Sequence, residues 1–126
     1  MKPETEAWVS KAEGNWNSAQ WGMQAASPVW DDICFLCQQC GEKYLKAFLR
    51  ESNINPPREH DLIVLYGLTG SLLPELSAYR QELAYLSSLG VATRYPGTQA
   101  TMQDAEDAIK AAEAVRAVIR LKLGLS

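Results

Sequence analysis

Apolar residues recur every three or four positions along most of the chain, with punctuation between the runs. Pro3, followed by Glu4 and Glu6, suits a helical first turn: its N–H is not needed there, and acidic side chains favour the positive end of the helix. Trp8, Ala12, Ala19, Met23 and Ala26 then share a face, with Trp16 near it. Gly14 and Gly22 weaken this helix without ending it. Ser27-Pro28 predicts a boundary, with Ser as N-cap and Pro at the first helical position. A second helix runs from there to about Arg50, because Asn53 to Pro57 cannot continue it. A short apolar helix over 61–68 stops at Thr69-Gly70. Pro74 or Ser71 opens a fourth, with Leu72, Leu76, Tyr79, Leu83 and Leu86 spaced four, three, four and three. Gly90 to Ala100 reads as a loop. Thr101 and Asp104 form a capping box with Asp in place of Glu. Ala105, Ala108, Ile109, Ala112, Val115, Ile119 and Leu123 line the last helix. No strand-like alternation survives. The expectation is an all-α, antiparallel up-and-down bundle of four to five helices, one domain over 1–126.

The second helix carries the widest apolar face. At about 100° per residue, Val29, Trp30, Ile33, Cys34, Leu36, Cys37, Cys40, Gly41, Tyr44, Leu45, Ala47 and Phe48 fill an arc of roughly 180°. An ordinary surface helix shows a stripe of roughly 100°. A face this wide needs cover on two sides, and the simplest second cover is another copy of the chain. Trp30, Cys34, Cys37, Gly41 and Phe48 are therefore the expected homodimer contact, with Gly41 admitting a close neighbour. Phe35 points into the polar half of this helix and suggests a partner surface.

Composition narrows the class. The 126 residues are 47% apolar and 21% charged, which is ordinary for one globular domain, and the net charge of −3 gives no global attraction to nucleic acid. The three Cys lie within seven residues of one helix, a poor geometry for pairing, and read as reduced thiols of a cytoplasmic protein. The N-terminus lacks the apolar segment of a signal peptide, and no run approaches the roughly 20 apolar residues of a membrane span. Cys34, Cys37 and Cys40 invite a metal reading, but a fourth ligand at suitable spacing is missing, so neither metal nor cofactor is expected.

Along this chain lie Trp8 and Ala12-Glu13 in the first helix, then Cys34 and the run from Gln39 through Glu42-Lys43 to Lys46-Ala47 in the second. His60-Asp61-Leu62, the Arg94-Tyr95-Pro96 loop and an Ala-rich last helix follow. In this ordered set the chain resembles the HEPN domain family (higher eukaryote and prokaryote nucleotide binding). The resemblance implies a helical bundle, a homodimer, and in prokaryotes a small nucleotidyltransferase as partner. Some members are metal-independent ribonucleases of toxin–antitoxin pairs, carrying Arg, four to six residues, then His. Here the single histidine is His60, and the positions that would hold that Arg are Asn53, Ile54 and Asn55. Asn15 also stands where many relatives have Asp.

Two groups of residues carry candidate chemistry. Lys43 and Lys46 could offer ammonium groups to a nucleotide phosphate, joined by Arg94 and Tyr95 from the loop. His60 could act as a general base, although no Arg, Cys or Ser accompanies it at motif spacing. The preferred reading is a dimeric binding module that works with a nucleotidyltransferase and binds nucleotide or RNA. The alternative is a ribonuclease toxin using His60.

Overall fold

The computed structural model describes residues 1–92, without the side chains of 91 and 92, and residues 96–126. Five α-helices account for the fold: α1 (Pro3–Met23), α2 (Trp30–Glu51), α3 (Leu62–Leu68), α4 (Arg80–Ala92) and α5 (Met102–Lys122). A 3₁₀ helix, Pro74–Tyr79, leads directly into α4. The chain runs up through α1, down α2, up α4 and down α5, with α3 as a short insert. Lys2 N–H donates to Glu51 at 3.0 Å at one end of the α1–α2 pair, while Gly22 meets Ile33 at the other. Ala100 N–H donates to Asp31 at 2.6 Å and Arg120 donates to the Tyr44 hydroxyl at 3.1 Å, so α5 runs parallel to α2.

Local chemistry sets most of the boundaries. Asp61 caps α3 by accepting from Ile63 N–H at 2.9 Å. Thr101 and Asp104 make the reciprocal capping box of α5, at 3.1 and 2.9 Å. The N-terminus of α2 departs from expectation. The helix begins at Trp30 with Val29 at the N-cap and no side-chain cap, so Ser27-Pro28 lies outside it. Its other end stops at Asn53, whose φ of 64° turns the chain into the left-handed region. Asn53 N–H then bonds Arg50 O at 3.1 Å and Ile54 N–H bonds Leu49 O at 2.9 Å. These two bonds satisfy carbonyls that the helix end would otherwise leave open.

The position of α2 overturns the dimer argument. This helix is the centre of the bundle and touches each of the other four α-helices. Most of its broad apolar arc is buried among α1, α3, α4 and α5. Cys34 and Cys37 are wholly buried, Phe48 nearly so, and a Cβ on Gly41 would lie 2.9 Å from Leu62 Cδ2 and 3.2 Å from Leu86 Cδ1. The close neighbours that Gly41 admits are therefore α3 and α4 of the same subunit. Cys34, Cys37, Gly41 and Phe48 cannot form a surface between two copies while this fold stands. Trp30 is half-buried against the core, and Phe35 is half-buried as well.

Candidate functional site

Gln38, Glu42 and Lys46 are spaced four apart, so they form one row along α2. All three are buried, an unusual place for such residues. Glu42 is only 3% exposed, and its two oxygens hold three donors: Gln38 Nε2, His60 Nδ1 and Lys46 Nζ, each at 3.1 Å. Lys46 is 5% exposed and lies 5.5 Å from the centroid of the Trp8 ring. Gln38 Nε2 also donates to His60 O at 3.1 Å, and Gln38 Oε1 accepts from Gln39 at 2.7 Å. The row is thus a closed network that ties the segment before α3 to the central helix. Removing two opposite charges from water is costly, so such a pair is weak evidence for a stabilising role alone.

The network surfaces at His60, whose side chain is 65% exposed. A carboxylate only accepts, so Nδ1 is the donor to Glu42, and when the ring carries a single proton its Nε2 keeps a lone pair. His60 stands on the wall of a cleft of about 550 Å³ between α2, the segment before α3, and α4. Gln38, Glu59, Asp61, Ser87 and Ser88 share that wall. Glu59 accepts from the backbone N–H groups of His60 and Asp61, at 3.0 and 3.1 Å. Ser87 Oγ donates to Asp61 at 3.1 Å and accepts from Leu62 N–H at 3.1 Å. Gly90 lets α4 close on Gln38, since a Cβ there would lie 3.2 Å from Gln38 Cδ.

A second polar cluster joins α1, α2 and α5. Arg116 grips Glu13 with two bonds of 2.7 Å and lies over the Trp16 ring, while Tyr44 donates its hydroxyl proton to Glu13. The Arg116 bond first, against partial burial, holds the Glu13 carboxyl below its ordinary range. Burial pushes the thiols of Cys34 and Cys40 up to about 11 and about 12, and that of Cys37 further. Among the described residues, no three His, Cys, Asp or Glu side chains come together as a metal site.

Of the four expected nucleotide residues, Lys43 and Lys46 are among the described residues. Lys46 is buried, paired with Glu42 and set 5.5 Å from the Trp8 ring centroid, which leaves little of its ammonium open to a phosphate. Lys43 is half-buried, donates to Asn15 at 2.8 Å, and has its pKa lowered by burial. Arg94 and Tyr95 lie outside the described residues. His60 does lie at a cleft. Sequence reasoning placed Glu42 in the family motif without a partner at His60, and it missed Gln38, Asp61 and Ser87 as site residues. The row at 38, 42 and 46 was a visible signal, but the contact with His60, 18 positions on from Glu42, was not.

Comparison with known proteins places these features. The family model described as HEPN domain matches residues 5–122. The crystal structure of TT1696 from Thermus thermophilus is similar at a TM-score of 0.82 and 20% identity, covering 96% of this chain and 99% of that one. The crystal structure of ST0689, described as an archaeal HEPN homologue, is similar at a TM-score of 0.70 and 23% identity, covering 98% of each chain. At these identities the likeness is one of fold. No curated protein matches the chain.

Proposed function

The chain belongs to the HEPN domain family, and from that premise we propose that it is a binding module rather than a nuclease. The observation that supports this reading is the wall around His60, where the described residues include Glu59 and Asp61 but no Lys or Arg. Cleavage of a phosphodiester builds negative charge in the transition state, and a site for it presents cations or aligned donors to that charge. Here carboxylates stand in that place. Lys46, which shares the Glu42 carboxylate with the histidine, is already paired with it. The partner implied by the family is a small nucleotidyltransferase, and the chain's role is to bind it. Purified protein should leave RNA intact, and affinity capture from the source cell should recover the nucleotidyltransferase. RNA cleavage that disappears in His60→Ala would overturn the proposal.

The competing ribonuclease reading keeps one observation in its favour, the fixing of His60 Nδ1 by a buried carboxylate. The same cleavage assay decides between the two. A nucleotide site built on Lys43 and Lys46 loses one of its two ammonium groups to Glu42. Thermal midpoints measured with nucleotides test what remains, because a ligand of the native state raises the midpoint. The homodimer now rests on family habit alone, and light scattering at micromolar concentration tests it.

A further inference from the structure

The free hydrogen-bonding capacity of the His60 cleft has one sign. Each side-chain donor on the described wall is already spent inside the protein, apart from a second proton on His60. Gln38 Nε2 gives its two hydrogens to Glu42 and to His60 O. Ser87 donates to Asp61, and Ser88 donates to Tyr85 O at 2.6 Å. His60 donates Nδ1 to Glu42 and its backbone N–H to Glu59. What remains open is a set of acceptors. Among the described residues, nothing donates to Glu59 Oε2 or Asp61 Oδ2, because the bonds to these two side chains fall on Oε1 and Oδ1. When it carries a single proton, on Nδ1, the His60 ring adds the lone pair of Nε2. A ligand in this cleft must bring the donors, and beside two carboxylates it gains by bringing positive charge.

We propose that the cleft receives a single ammonium or guanidinium group, held by Glu59, Asp61 and His60 Nε2. The volume of about 550 Å³ lies within the range of sites that enclose a small molecule, roughly 300–1,000 Å³. Ile63 and Ala84 on the same wall give the aliphatic stem of such a group an apolar path. The group arrives either on a free amine or on the Lys or Arg side chain of a protein. This inference deepens the binding-module reading and rests on it.

The chain's single histidine makes the test direct, because its imidazole gives one set of ring signals in a ¹H–¹⁵N spectrum. Agmatine, an Arg-centred tripeptide blocked at both ends, and inorganic phosphate are titrated separately. Agmatine or the tripeptide should move the His60 signals saturably, phosphate should not, and added salt should weaken the cation. The tighter of the two cations identifies the source, a free amine or a protein side chain. Glu59→Gln and Asp61→Asn keep the local hydrogen bonds while removing charge, and together they should weaken binding at least tenfold. Signals that ignore both cations, that follow phosphate instead, or that respond unchanged in the double variant would overturn the proposal. Should the double variant fold poorly, the wild-type comparison of cation against phosphate decides alone. RNA cleavage by the wild-type protein would sink the module reading without touching this titration, so the two failures can be told apart.

Discussion

Glu42 holds three donors on two oxygens in a place that water barely reaches. Truncating it leaves the Lys46 ammonium buried and unpaired. Glu42→Ala should cost about 3–5 kcal/mol, read from the denaturant midpoint, whereas Glu42→Ala combined with Lys46→Met should cost less than the sum of the two single changes. The three thiols make a second case at this scale. Buried, with burial the largest cause of their raised pKa values, Cys34, Cys37 and Cys40 should resist a thiol reagent at pH 8 in the folded protein. All three should react once denaturant is added. The sequence places these three residues on the apolar face of α2, and there they lie buried. It offers Lys46 as a phosphate ligand without showing its burial, because spacing places a side chain on a helix face but does not say what covers that face.

Among the elements, α2 shows what periodicity can and cannot convey. A face of roughly 180° announces that several neighbours cover a helix, and that much was readable. Whose neighbours they are depends on how the remaining helices return, and α1, α3, α4 and α5 of the same chain suffice. Gly41→Leu therefore overpacks a single subunit against Leu62 and Leu86 and should lower its stability by about 1–3 kcal/mol. Helix ends followed the same division. Thr101, whose side-chain oxygen reaches a backbone N–H three residues on, was plain from sequence; Asp61 as the cap of α3 and Val29 as the N-cap of α2 were not. The sequence places the stop of α2 in the stretch from Asn53 to Pro57, and within it Asn53 makes the turn. Asn53→Ala should cost about 1 kcal/mol and Asn53→Gly should be neutral or better, because glycine enters the left-handed region without a Cβ clash.

For the molecule as a whole, the Glu13–Arg116 pair is the strongest polar tie between the first helix and the last. Its dependence on pH follows from the sign of the shift. Glu13 titrates lower in the folded protein than its ordinary 4.5, so the unfolded chain takes up the proton first as the solution is acidified. The stabilisation is complete above about pH 4.5, and it is lost as pH falls from there through the depressed value. Arg116→Ala should remove about 2 kcal/mol at neutral pH and flatten the acid limb of the stability curve. The all-helical architecture and its order were readable from the apolar period alone. The cleft was not, because it arises where the segment before α3 and the end of α4 meet across α2, and no local pattern records such a meeting.

Three of the four tryptophans, Trp8, Trp16 and Trp21, stand on α1, at three degrees of shelter: half-buried beside Lys46, buried beneath Arg116, and 69% exposed. Intrinsic emission from this protein is thus mainly a report from one helix. If α1 can lift away while the other helices persist, the fluorescence signal will fade before the ellipticity does. If the bundle comes apart as a unit, the two curves will superimpose.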